Sequence, residues 1–143
     1  MKIDYCASAI VINPVNKKIL LVKHKDYKKW VQPGGQIEQN DAPEDAAIRE
    51  TFEETSIKIK LLGERFPRST DYIRPLSIQK NERDGKIHLD FFYIGIPEGS
   101  HKPIPDINEV TEAKWFTRSE LDEIDVFPDI KITFDYIIER IIK

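Results

Sequence analysis

The chain has 143 residues, 40% hydrophobic and 33% charged. This suits a single domain over 1–143 and excludes a disordered chain or a second independent core. No run approaches the ~18 apolar residues that span a bilayer, so no membrane association is expected. With 22 basic and 25 acidic residues the net charge is −3. That disfavours long nucleic acid as a partner but is compatible with a small phosphate-bearing ligand.

Residues 3–12 and 18–23 are predicted as two strands around the turn Asn13-Pro14-Val15-Asn16. The first run reads as a strand and not as a signal peptide. Cys6 within it is the single cysteine, which excludes an internal disulfide. Its apolar neighbours point to a buried thiol, and a reducing, cytoplasmic setting fits. Lys23 to Lys29 form a charged loop, in which His24 reads as a loop residue. Trp30-Val31-Gln32 is a short strand with Trp30 as a core anchor, and Pro33-Gly34-Gly35 stops it. Residues 43–55 read as a helix, with Pro43 at its first position and Glu44 and Asp45 at the positive end of its dipole. Further strands are expected over 57–62, near 72–79 within an otherwise irregular 63–86, over 88–96 and over 113–116. Alternation along 88–96 sends Phe91 and Tyr93 to one face, and His88, Asp90 and Phe92 to the other. Thr117 to Glu120 is a capping-box pattern opening a short helix, and residues 130–142 form a final amphipathic helix. Strands mixed with a central and a terminal helix predict a sheet covered by helices on its faces.

The central helix carries the chemistry. On a wheel of about 100° per residue, Ile48, Thr51, Phe52 and Thr55 share one arc, the expected anchoring face. Glu50, Glu53 and Glu54 share the opposite arc. Carboxylates three and four residues apart repel, each pair costing a few tenths of a kcal/mol. Arg49 reaches Glu53 one turn on but does not neutralise all three acids. A divalent cation does, and clustered carboxylate oxygens are hard ligands suited to Mg²⁺ or Mn²⁺. Gly34-Gly35 precede this helix and allow close backbone approach to a ligand. Glu38 and Asp41 add acids at the same end. A basic stretch over 23–29 just before them completes a pattern for phosphate plus metal.

Taken together, Gly35 to Ile57 (GQIEQNDAPEDAAIRETFEETSI) resembles the signature of the Nudix hydrolase family, G-x5-E-x7-R-E-U-x-E-E-x-G-U with U bulky and apolar. Gly35, Arg49, Glu50, Glu53, Glu54 and Ile57 match at their spacings. Asp41 replaces a glutamate, Thr51 an apolar residue and Ser56 a glycine. Ser56 stands where a left-handed backbone is often needed, at a cost of about 1 kcal/mol for a residue with a side chain. The flanks, with Trp30 and Pro33-Gly34 before the box and Glu109 and Trp115-Phe116 after it, are similar too.

The resemblance implies an α/β (α+β) fold, an α/β/α sandwich with a mixed sheet between helices. It implies metal-dependent hydrolysis of a nucleoside diphosphate linked to another moiety, by water attack on a phosphorus. It also implies site residues. Glu50, Glu53 and Glu54 are the metal-binding carboxylates, joined by the Gly35 carbonyl. Glu53 is the first choice of general base, and Arg49 orients it. Asp41 is expected to act structurally. Glu109 is a candidate loop carboxylate. On the substrate side, Lys23, Lys25, Lys28 and Lys29, and across from them Arg74, Lys80, Arg83, Lys86 and His88, are candidates to meet phosphates. Tyr72, Phe91 and Tyr93 are candidates to stack on a base. A homodimer is possible, as for many members. Two other readings remain at this point: a nucleotide-sensing domain of the same fold without turnover, and a calcium-binding or purely structural acidic helix. The box itself does not encode which nucleotide is the substrate.

Overall fold

In the structure, a computed structural model, residues 2–25, 28–68 and 71–142 are described, with Arg83 represented by its backbone only. Alternation along the first strand decides the layering. In β1 (Lys2–Ile12), Ala7, Ala9 and Val11 enter one core layer, and Ile10 and Ile12 the other. Burial on both faces explains why this strand reads as a continuous apolar run. It lies at the centre of an eight-stranded mixed sheet.

β1 pairs in parallel with β7 (Lys86–Pro97) along ten residue pairs, from Lys2↔Lys86 to Val11↔Gly95. Its other edge is shared. Val11 and Ile12 pair with β2 (Ile19–His24), whereas Cys6, Ala7 and Ser8 pair with β4 (Gly34–Gln36). The two-residue β3 (Trp30–Val31) pairs with β2. β2 therefore splays away from β1, and Gly34-Gly35 occupies the gap. The glycines were expected to stop a strand; instead they form one. A Cβ on Gly34 would lie 2.5 Å from the Cβ of Ser8, so only glycine permits this pairing.

The helix α1 (Pro43–Thr55) covers one face and α2 (Pro128–Arg140) the other. Beneath α1 lie Ala7, Ala9, Leu20, Ile59 and Tyr93. Beneath α2 lie Ile10, Ile19, Leu21, Phe92, Ile94 and Phe116, met by Ile130, Phe134 and Ile137 at helical spacing. Trp30 is a core anchor as expected, 7% exposed and edge-on to Phe116 at 4.9 Å. No described helix is long and apolar enough to cross a membrane.

The remaining elements are β5 (Ile59–Leu62), β6 (Ser77–Arg83) and β8 (Val110–Phe116), which pair with β7, β7 and β2 respectively. The strand expected near 72–79 lies over 77–83. Asp84 (φ 53°) and Gly85 (φ 71°) form a two-residue hairpin between Arg83 and Lys86, and that turn sets the register of β6. The capping box is present: Thr117 N–H donates to Glu120 Oε1 at 2.8 Å, and Glu120 N–H to Thr117 Oγ1 at 3.2 Å. The turn it opens, Ser119–Glu123, is 3₁₀.

Ser56 ends α1 in the left-handed conformation, φ 61°, with its N–H donating to the Phe52 carbonyl at 2.8 Å. Its hydroxyl makes an exposed 3.3 Å contact to the Ile104 carbonyl, too weak to offset the backbone strain. Ser56→Gly is expected to stabilise the chain by about 0.5–1 kcal/mol, read as a raised urea midpoint at unchanged slope.

Candidate active site

The helix does not sit as the wheel predicts. Its buried side is centred on Ala46, Ala47, Thr51, Glu54 and Thr55, while Phe52 is 53% exposed. The small Ala46 and Ala47 let α1 approach Ala7 and Ala9 of β1 closely. The helix is thereby rolled so that Glu54 is driven inward and Phe52 outward. Glu54 is 1% exposed, and Glu53 stays at the surface. The three acids thus face one rim but not one environment.

Gly34-Gly35 on β4 meet this rim. The Gly34 N–H donates to Glu54 Oε1 at 2.9 Å. A Cβ on Gly35 would fall 2.5 Å from the Glu50 carboxyl carbon, so Glu50 occupies the space that glycine leaves. His24, at the end of β2, brings Nε2 to 3.1 Å from Glu54 Oε2. The alignment is not that of a hydrogen bond, and this buried oxygen has no hydrogen-bond donor. His24 is therefore part of the site and not merely a loop residue. Its strand parity, shared with Leu20 under α1, was the available signal.

Burial pushes the Glu54 carboxyl up to about 8; the Gly34 N–H opposes this, while the charges of Glu50, Glu109 and Glu53 add to it. Glu50 is also raised, first by burial, against the pull of Arg49 and with the added repulsion of Glu53 and Glu109. Glu109, exposed in the loop before β8, is thus brought into the field of these carboxylates.

Arg49 is the hub of the rim. Its Nη2 lies 2.9 Å from Asp41 Oδ2, and its Nη1 lies 3.0 Å from Glu50 Oε1 and 3.3 Å from Glu53 Oε1. It also donates to the Gln36 carbonyl at 3.2 Å. Burial works against its charge, but the hydrogen bonds to Asp41, Glu53 and Glu50 outweigh that and raise its pKa. Among the described residues, no three His, Cys, Asp or Glu side chains stand arranged to hold a metal ion; the guanidinium lies against Asp41, Glu50 and Glu53. Removing Arg49 leaves Asp41, Glu50 and Glu53 repelling one another at a half-buried rim. Arg49→Ala is expected to cost about 2 kcal/mol at pH 7, less than for a fully buried pair because the guanidinium is partly solvated. The urea midpoint measures it.

From this rim a cleft of about 610 Å³ runs along the sheet face opposite α1, a size typical of small-molecule sites. Gly34, Gly35 and His24 line its near end; His88, Asp90 and Phe92 line its wall, and Phe127 and Ile130 the side toward α2. The shared parity of His88, Asp90 and Phe92 places them together as expected. Cys6 is half-buried on this wall, in register with Asp90, and not enclosed in the core. Tyr93 offers no stacking surface: it is 2% exposed beneath α1 with Phe91 packed beside it. Tyr72 is 62% exposed and does not line the cleft.

Among the described residues, the Lys and Arg candidates do not line the cleft, whereas His88 does. Lys23 Nζ lies 5.9 Å above the Trp30 ring, and Arg74 Nη1 lies 3.8 Å from Glu64 Oε2. Lys29 pairs with Asp125, Lys80 with Glu82 and Lys86 with Asp4. Lys25 and Lys28 are absent from the cleft lining. The Arg83 side chain lies outside the described residues.

Comparison with known proteins bears on the family and the fold. The model of the NUDIX domain matches residues 4–136. An RNA pyrophosphohydrolase of Bartonella quintana is 30% identical over 144 aligned positions, covering 90% of this chain and 81% of the relative. A putative 8-oxo-dGTP diphosphatase of Bacillus subtilis is 44% identical over 55 residues, 38% of this chain and 36% of the relative. A Nudix-family hydrolase from Clostridium perfringens has the same fold, with a TM-score of 0.79 at 25% identity, covering 94% of this chain and 97% of that one. Three of the curated relatives are spanned only in part, over 14%, 36% and 51% of their lengths. With the family match running through both core layers, the box helix and α2, this chain belongs to the Nudix family.

Proposed function

We propose that this chain is a metal-dependent pyrophosphohydrolase that cleaves a nucleoside diphosphate linked to another group, acting as one unit over 1–143 in a cytoplasmic setting. The observation that supports it most is the Glu54 carboxylate. It is buried and raised to about 8, and its Oε2 lacks a hydrogen-bond donor. A buried carboxylate oxygen without a donor is costly, and a cation removes that cost. The donor set consists of hard oxygens and fits Mg²⁺ or Mn²⁺.

In this reading Glu50, Glu53 and Glu54 hold the ion together with the Gly35 carbonyl. When bound, the ion neutralises phosphate charge and lowers the pKa of water. Glu53, at the exposed side of the rim, accepts the proton of the attacking water at a carboxylate oxygen. A P–O bond forms from that water as the anhydride P–O bond breaks, and a phosphate leaves. Arg49 holds Glu53 in place and keeps the acids together. Glu109 faces the same rim and is a second candidate for the proton. The cleft takes the organic part of the substrate, with His88 on its wall; Lys23 and Arg74 would reach it only by moving.

A small nucleotide is favoured over long RNA, although one relative is named an RNA pyrophosphohydrolase. The net charge is −3, and no described cleft-lining residue is Lys or Arg; binding along a phosphate chain needs such cations. The test is phosphate or pyrophosphate release from a panel of nucleoside diphosphate derivatives with Mg²⁺, with Mn²⁺ and with chelator. Chelator-sensitive turnover of one class is expected. A folded protein that binds these nucleotides and turns over none would be a sensing domain, and the proposal would fail.

A further inference from the structure

Alternation along a strand ordinarily sends apolar side chains to the core and polar ones to water. Where β1, β7 and β6 project past α1, that pattern is inverted. Ala7 and Ala9 lie beneath the helix, but Ile3 and Tyr5, of the same parity, are 41% and 50% exposed. Register carries their face across the sheet. Ile3 pairs with Ile87 and Tyr5 with Leu89 in parallel; Ile87 pairs with Glu82, Leu89 with Lys80 and Phe91 with Ile78 in antiparallel. Ile87 and Leu89 are partly exposed, and Ile78 is 55% exposed. The polar residues of these strands, among them Gln79, Asn81 and His88, line the cleft on the opposite face. Single exposed apolar side chains are ordinary, whereas neighbours gathered on one face mark a surface that a partner covers.

The face is ordered in rows. One runs Tyr5, Leu89, Lys80, and the next Ile3, Ile87, Glu82. Lys80 Nζ and Glu82 Oε1 lie 3.5 Å apart, both side chains exposed. Opposite charges thus stand in adjacent rows of one strand, with apolar side chains beside each. A two-fold axis lying across the strands, between these rows, exchanges them. It sets Lys80 of each copy against Glu82 of the other, Tyr5 against Ile3 and Leu89 against Ile87. Every apolar side chain then meets an apolar one, and every charge meets its opposite.

We propose that this face of β1, β7 and β6 is the interface of a homodimer, in which two copies stack sheet on sheet about that axis. A two-fold interface must be self-complementary, and this face is so in both its apolar and its charged rows. Stacked sheets pack about 10 Å apart with their strands within about 30° of alignment, which an axis across the strands allows with the two sets antiparallel. A lipid surface fits less well, because anionic membranes select an excess of cations and the lysine of this face is balanced by a glutamate. The dimer and the cleft use opposite faces of the same strands, so neither blocks the other.

The test is sedimentation equilibrium of the chain at low salt, from about 1 µM to about 0.5 mM. A reversible monomer–dimer equilibrium is expected. Lys80→Glu sets carboxylate against carboxylate at two places in the dimer and is expected to weaken it at least about tenfold. Glu82→Lys sets ammonium against ammonium and is expected to do the same. Combined in one chain, the two substitutions restore opposite charges across the axis and are expected to return the affinity to within about threefold of the parent. Both positions are exposed, so the fold is kept. Ile3→Asp places a charge in the apolar rows and is expected to leave the chain monomeric throughout. A parent chain that stays monomeric at about 0.5 mM overturns the proposal; co-sedimentation of that monomer with phosphatidylcholine vesicles would assign the face to lipid instead. A dimer indifferent to these substitutions lies on another surface and overturns it too, as does a combined variant as weak as the single ones.

Discussion

Glu54→Gln is expected to lower turnover of the hydrolysed nucleotide by about 10²–10³-fold, the scale seen when one charge-stabilising group is lost from a preorganised site. The fold should survive. The glutamine carbonyl oxygen still accepts the Gly34 N–H that now reaches Glu54 Oε1 at 2.9 Å, and the side-chain volume is nearly unchanged. What disappears is the negative charge at the innermost point of the rim. Single-substrate kinetics in Mg²⁺ beside the far-ultraviolet circular dichroism of both proteins decide it. Near-normal activity in a folded variant would remove Glu54 from the proposed ligand set.

The same substitution should act in the opposite direction on stability without metal. The Glu54 carboxyl is raised from 4.5 to about 8 by burial, with the neighbouring acids adding to it. Between those values the folded chain holds a proton that the unfolded chain has released. Stability therefore falls as pH rises through this window and levels off above about 8. The loss is on the order of 5 kcal/mol. Glutamine never ionises and does not incur it. In chelator at pH 8, Glu54→Gln is expected to melt about 10–20 °C above the parent, with the gap closing toward pH 5. Divalent cation should close the gap at pH 8 from the other side by stabilising the parent alone. A pH-independent difference between the two proteins would show that Glu54 carries no such strain.

The two expected effects are those of a carboxylate whose burial costs stability and whose charge serves the proposed chemistry, and the sequence shows only its spacing. The spacing of Glu50, Glu53 and Glu54 was legible because helical periodicity is local. The burial of Glu54 was not, because it depends on how far α1 rolls on Ala46 and Ala47 against β1. The amphipathic wheel weighted Phe52 as an anchor by its size. The sheet chose the alanines because a helix packs closest over small residues, and Phe52 was turned to solvent.

Strands show the same division. β1, β2 and β7 were visible as apolar runs. β4 was not, since Gly34-Gly35 carries no strand pattern and pairs with Cys6 to Ser8 only because it lacks side chains. β6 lies several residues later than the strand expected near 72–79, because the Asp84-Gly85 hairpin and not the prolines before it sets its register. Charge patterning groups Lys23 and Arg74 as candidates to meet phosphates; in the structure they lie over Trp30 and beside Glu64.

By itself the sequence determined the family, the two-helix mixed-sheet architecture and the acids of the box, all of which rest on residue type and short-range spacing. Only the tertiary structure decided that Glu54 is buried beside His24, that Arg49 ties Asp41 to Glu50 and Glu53, and that Ser8 meets Asp90 on the face where strand alternation sets Asp90 with His88. Those contacts join segments up to 82 residues apart, and their geometry is set by strand register and helix roll, which no local pattern encodes.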